Sequence, residues 1–162
     1  MTTGLSIVYP NVNVTMSALT SMSGGYVTRS GSNLLFSPDV SNHFYVYEGG
    51  TWIAKTIPDA GVTVGCTGLT NSTTYYLYAY DNAGTVTLDL STTAPTTQNG
   101  IKVKTGATNR LMIARCQTND SGAVVTANDT ASGQMVCNLY NKRRIRIYNN
   151  HSTVSWSYNS ST

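Results

Sequence analysis

The stretch Thr74-Tyr75-Tyr76-Leu77-Tyr78-Ala79-Tyr80-Asp81-Asn82-Ala83-Gly84-Thr85-Val86-Thr87-Leu88-Asp89-Leu90 decides the fold class. Successive side chains of an extended segment point to opposite faces. Tyr76, Tyr78 and Tyr80 therefore share one face, and Tyr75, Leu77 and Ala79 the other. Beyond the turn cluster Asp81-Asn82-Ala83-Gly84, which can supply positive φ, Val86, Leu88 and Leu90 face one way while Thr85, Thr87 and Asp89 face the other. Two alternating runs joined by such a cluster predict a β-hairpin with one wet side.

The pattern repeats along the chain. Phe44-Tyr45-Val46-Tyr47 and Trp52-Ile53-Ala54 flank Glu48-Gly49-Gly50-Thr51, a second hairpin over 43–57. Ile101 to Lys104 and Arg110 to Arg115 flank Thr105-Gly106-Ala107-Thr108-Asn109, a third. Further strands are expected at 124–127, 134–140, 143–148 and 153–158, with a turn at Asn149-Asn150-His151-Ser152. Short strands about ten residues apart, punctuated by Gly, Asn and Asp, point to an all-β antiparallel sandwich or barrel, jelly-roll-like in outline. Helical periodicity and fixed-period repeats are absent.

Composition agrees. Thr, Ser and Asn supply 25, 17 and 15 of the 162 residues, and charged residues only 10%. Glu48 is the sole Glu, which argues against a helical bundle. A hydrophobic fraction of 40% with eleven Tyr argues against a disordered chain. The length fits one β domain over 24–162, preceded by a weakly patterned segment over 1–23 that contains Met16, Met22, Gly4 and the short apolar run Leu5 to Tyr9. Two readings of that segment stay open: a mobile terminus with one edge strand, or an extended arm that crosses onto a neighbouring subunit. Cys66, Cys116 and Cys137 are odd in number and widely spaced, and read as reduced, buried small thiols. The opening residues carry no basic leader before an apolar stretch, which fits folding in a cytoplasm. No apolar run is long enough for a membrane-spanning helix, so no membrane partner is expected.

Chemistry-bearing constellations are few. The carboxylates Glu48, Asp39, Asp59, Asp81, Asp89, Asp120 and Asp129 mostly sit beside turn residues, and no spacing suggests a glycosidase pair. His43 and His151 are far apart, with no metal-ligand spacing and no nucleophile elbow. Neither a catalytic residue, a metal site nor a cofactor is expected. The one local charge concentration is Lys142, Arg143, Arg144 and Arg146, four of ten cationic residues. On a strand over 143–148, Arg144, Arg146 and Tyr148 would point outward together, near Trp156. Such a strip fits an edge kept soluble by charge or a contact with an acidic protein surface; at pI 8.8 it makes a poor nucleic-acid footprint, so none is expected as partner.

Several segments together resemble a recurrent family of small virion proteins of tailed bacteriophages. They are Leu69-Thr70, Tyr75 to Ser91, Gln98-Asn99-Gly100-Ile101 with Val103-Lys104-Thr105-Gly106-Ala107-Thr108 and Arg110, then Asn138, Tyr140-Asn141-Lys142 and Trp156-Ser157-Tyr158. The resemblance covers roughly residues 24 to 158. Asn109-Arg110 departs from an adjacent basic pair in the family, and Met112-Ile113-Ala114-Arg115 from a Gly-Thr-Ile-Arg stretch, which puts any basic contact there in doubt. The resemblance implies a non-enzymatic phage structural role. The expectation is a capsid decoration (cement) protein, trimeric, on the outer head surface, with the major capsid protein or other virion proteins as partners. The virion is then its location. The alternative is a tail fibre or receptor-binding module that recognises host glycans through Tyr and Trp. The residues expected to touch a partner are Leu5, Ile7, Val8 and Tyr9 of the N-terminal segment, with Lys142, Arg144, Arg146, Tyr148 and Trp156.

Overall fold

A computed structural model describes residues 21–123 and 136–140. Among the described residues there are strands and turns and no helix. Strands β1 (Gly25–Ser30), β2 (Asn33–Pro38) and β5 (Val62–Gly65) form a small sheet in the order β1-β2-β5. Strands β3 (His43–Glu48) and β4 (Thr51–Thr56) form a two-stranded sheet. The large sheet runs β7-β6-β10-β9-β8, built from β6 (Thr74–Asn82), β7 (Thr85–Ser91), β8 (Pro95–Gln98), β9 (Ile101–Lys104) and β10 (Ala107–Gln117). The short β11 (Cys137–Asn138) pairs with β10 beyond the end of β9. Every pairing is antiparallel, and the sheets pack together around one apolar cluster, as the sequence pattern predicts.

The three hairpins expected from the sequence all form. The β6–β7 turn is tighter than the four-residue cluster suggests: Asn82 pairs with Thr85, which leaves Ala83 and Gly84 as the loop at φ 51° and 89°. Positive φ at both central residues gives the mirror-image turn whose twist matches the strands. Gly49 and Gly50 do the same between β3 and β4, at φ 58° and 87°. The third turn is also shorter than expected. Lys104 pairs with Ala107, so only Thr105 and Gly106 turn, and the register slips between Ala107 and Leu111. Thr108 and Asn109 lie inside that irregular part of β10 and not in a loop.

Four strands were not evident in the sequence: β1, β2, β5 and β8. Their segments are short, and the alternation of β1 and β2 is masked by polar neighbours. Pairing in the order β1-β2-β5 and burial of Val27, Leu34 and Phe36 against the other sheets hold the first three in place, while β8 is held by its ladder to β9. Phe36 meets Phe44 edge to face, with ring centroids 6.0 Å apart. Leu77, Ala79, Leu111 and Ile113 close the core from the large sheet.

Met22 and Ser23, at the end of the N-terminal segment, are built into this body. Met22 is buried, Ser23 bridges to Phe44, and the Tyr45 N–H donates to Met22 O at 3.0 Å. The expected strands over 124–127, 143–148 and 153–158 lie outside the described residues; of the one expected over 134–140, Cys137 and Asn138 form β11. None of the three cysteines is bridged. Cys116 is buried as expected, but Cys66 is only half-buried and Cys137 is exposed, because β11 presents it on the outer side.

Candidate functional site: the outer face of the large sheet

Alternation along β6 sends Leu77 and Ala79 into the core, so Tyr76, Tyr78 and Tyr80 stand in a row on the opposite face. Pairing across the ladders extends this row sideways. Tyr78 lies opposite Asp89 of β7 and opposite Met112 of β10, Tyr80 opposite Thr87, and Tyr76 opposite Arg115. On β9, Val103 is buried opposite Leu111, which turns Lys102 and Lys104 outward beside Arg110. Among the described residues, four cationic side chains, Lys102, Lys104, Arg110 and Arg115, thus share one sheet face with three tyrosines and a single carboxylate, Asp89.

The centre of the face is tightly organised. One Asp89 oxygen, Oδ2, accepts from Lys104 Nζ at 2.7 Å and from Arg110 Nη1. The Arg110 guanidinium lies over the Tyr80 ring, 4.3 Å from its centroid, and Lys104 Nζ lies 5.8 Å from that of Tyr78. Cations over aromatic faces are attracted by the ring quadrupole. Burial pushes the Asp89 carboxyl up, but the Lys104 and Arg110 hydrogen bonds outweigh it and hold it below the ordinary range. Tyr78 is fully buried beneath this layer and its hydroxyl donates to Thr93 O at 2.7 Å; burial, then Tyr76 and Asp89, raise its pKa.

The periphery is open. Lys102 and Arg115 are exposed, and Tyr76 and Tyr80 are half-buried with part of each ring in solvent. Lys102 Nζ is steadied by Thr97 Oγ1 at 2.9 Å. The result is a broad positive surface with a preorganised centre, suited to binding and offering no nucleophile with an adjacent base.

A concavity of about 260 Å³ lies elsewhere, lined by Arg29, Ser32, Cys66, Thr67, Ser121 and Gly122. Arg29 Nε donates to Gly31 O at 2.9 Å, and burial pushes the Cys66 thiol up. Among the described residues no three His, Cys, Asp or Glu side chains gather as a metal site.

The partner-contact residues expected from the sequence, Leu5, Ile7, Val8, Tyr9, Lys142, Arg144, Arg146, Tyr148 and Trp156, all lie outside the described residues. The basic face of the large sheet was missed. Its signal was present in the alternation of Ile101-Lys102-Val103-Lys104, but only the β6–β10 pairing brings those cations beside the tyrosines. Compared with protein-family models, with curated proteins and with solved structures, the chain finds no match.

Proposed function

We propose that this chain is a structural protein of a bacteriophage virion that decorates the outer head surface and docks through the outer face of its large sheet onto acidic residues of the shell. The observation that carries this reading is the grouping of Lys102, Lys104, Arg110 and Arg115 with Tyr76 and Tyr80 around one carboxylate. Tyrosine rings and arginines are the side chains that anchor protein interfaces. The centre of the face is already neutralised, since Asp89 ties down Lys104 and Arg110. What stands exposed without a carboxylate partner among the described residues is the pair Lys102 and Arg115, too little charge for a polyphosphate track but enough to select an acidic protein patch. The resemblance to small phage virion proteins supplies the virion setting.

The role is non-catalytic and works by mass action. A protein that binds only the assembled lattice stabilises it by RT ln(1 + [L]/Kd), and contacts to several shell subunits multiply the effect. Stained-gel quantification of copies per virion tests the location. Hundreds of copies support the head surface. A handful of copies, together with sugar-inhibited binding of the isolated protein to host cells, would replace this reading with a glycan-binding tail module.

A further inference from the structure

Sheet edges present unpaired backbone donors and acceptors, and proteins blunt them with charge, proline, shortness or cover. In this molecule the edges differ in how well they are blunted. β8 is four residues long and begins with Pro95; β5 is also four residues and lies beside β7. The edge of β1 is closed by Asn138, whose side-chain amide bonds both the N–H and the C=O of Val27. Among the described residues β4 lacks proline, shortness and a covering partner. It is six residues long, Thr51-Trp52-Ile53-Ala54-Lys55-Thr56, without Gly or Pro, and among the described residues it pairs only with β3.

Its single charge is also cancelled. Lys55 Nζ is held 2.6 Å from Asp81 Oδ2 and 3.3 Å from Glu48 Oε2, so the residue that would repel a second strand is neutralised and turned toward the body. Ile53, in the middle of the same strand, is 38% exposed, one of two large apolar side chains left exposed among the described residues. The other, Val40, is in the loop after β2, away from any ladder. An edge whose one cation is tied to two carboxylates and whose centre is exposed and apolar suits an uncharged strand, and the strand that matches it without further requirement is another copy of itself, because antiparallel pairing about a two-fold axis is self-complementary.

Alternation fixes the register of such a pair. Phe44 and Val46 point into the core, and they stand opposite Lys55 and Ile53, so Thr51, Ile53 and Lys55 share the inner face while Trp52 and Ala54 share the outer one. A two-fold pair must match inner with inner and outer with outer. Centring on Ile53 does so: Ile53 meets Ile53 of the second copy, Trp52 meets the exposed Ala54, and Lys55 meets Thr51. No like charges face each other. Trp52 is half-buried, packed against the core cluster and braced against Tyr47 with ring centroids 5.2 Å apart, so only the remaining part of its rigid ring meets the small alanine.

We propose that two copies of this chain join antiparallel along β4, centred on Ile53, to make a continuous sheet β3-β4-β4-β3. The pair is two-fold, in contrast to the trimer expected from the resemblance, and it leaves the outer face of the large sheet out of the contact. A six-residue edge buries little area, so the dimer is weak in solution and gains from effective concentration when copies are held side by side.

Sedimentation velocity of the full chain over a concentration series tests this. The expected result is a reversible monomer–dimer equilibrium, with the dissociation constant raised at least about tenfold in Ile53→Glu, which sets two carboxylates face to face. In a Cys137→Ser background, Ile53→Cys should oxidise to an inter-copy disulfide while Thr56→Cys does not, a readout that does not depend on tolerance of the glutamate. A wild-type chain that stays monomeric at every concentration, as it would if its own residues 1–20 covered β4, overturns the proposal. So does a trimer, or a dimer that Ile53→Glu leaves intact.

Discussion

Asn138 closes its side-chain amide on the backbone of Val27, 111 residues away in sequence: Oδ1 accepts from the Val27 N–H at 2.7 Å and Nδ2 donates to Val27 O at 3.0 Å. A primary amide carries a donor and an acceptor with the spacing of a peptide unit, so Asn138 stands in for a neighbouring strand at this one position of β1. It also joins the small sheet to the large one, since β11 pairs with β10. Both residues are buried, and water cannot replace the two bonds.

Removing this clasp should be costly. Asn138→Ala leaves a buried N–H and a buried C=O unpaired, a loss of about 2–6 kcal/mol at about 1–3 kcal/mol for each orphaned group. Asn138→Asp can still accept from the N–H but sets a carboxylate oxygen against the Val27 carbonyl, so it should not rescue the loss at neutral pH. Urea unfolding of the wild type and both variants measures this. A change below 0.5 kcal/mol in Asn138→Ala, on the order of an ordinary surface substitution, would show that the clasp contributes nothing.

Gly24 and Gly25 occupy positions where the backbone is approached closely. A Cβ on Gly24 would lie 2.7 Å from both the backbone N and O of Ser41, and one on Gly25 would lie 2.3 Å from Phe36 Cε2 and 2.6 Å from Ile57 Cδ1. Gly24 O also accepts N–H bonds from Asp39, Val40 and Ser41, so that loop cannot retreat freely. Each Gly→Ala change should destabilise by about 1–3 kcal/mol, with Gly24 the worse because backbone blocks it and not a side chain. Thermal melts of the two single variants rank them; equal or wild-type melting temperatures would contradict the packing described.

Acid should loosen the centre of the large-sheet face before the core yields. The folded Asp89 carboxyl sits below its ordinary value of about 3.9, so its contribution is complete above that value and is lost as pH falls through the lower folded value. Asp89→Asn lacks this contribution. The stability gap between wild type and Asp89→Asn should therefore be constant from pH 7 to about 5 and close below about pH 4. Chemical denaturation at a series of pH values reads it, and a gap that widens toward acid would have the wrong sign.

The thiols should react in order of exposure. Burial pushes Cys116 up to about 12, and raises Cys66 as well, while Cys137 is exposed. Only the thiolate is nucleophilic, so at pH 8 native protein should be alkylated first at Cys137 and at Cys116 only on unfolding. Peptide mapping after timed alkylation gives the order; early labelling of Cys116 would mean that its surroundings open.

The parts of this fold that are legible in sequence are those where local chemistry alone specifies the geometry. Tyr75 to Leu90 contains both its alternation and its turn, and so does Phe44 to Ala54 around Gly49-Gly50. Tyr26 to Ser30 and Asn33 to Pro38 contain neither a long alternation nor an unmistakable turn pair, and become strands because Val27, Leu34 and Phe36 find the core. The candidate site was hidden for a related reason. Its cations belong to β9 and β10 and its tyrosines to β6, and only a ladder between strands some thirty residues apart sets Arg115 opposite Tyr76. The bulge between Met112 and Ala114 shifts that register by one, which no periodicity reading anticipates.

Docking of the outer large-sheet face to an acidic shell surface is tested most directly by co-sedimentation of purified protein with virion heads stripped of it. Wild-type protein should saturate the heads at hundreds of copies, with affinity that falls as salt rises, and Lys102→Glu/Arg115→Glu, two exposed changes outside the core, should lose at least about tenfold in affinity while melting normally. Undiminished occupancy by the double variant, or heads that take up no wild-type protein, would contradict the account.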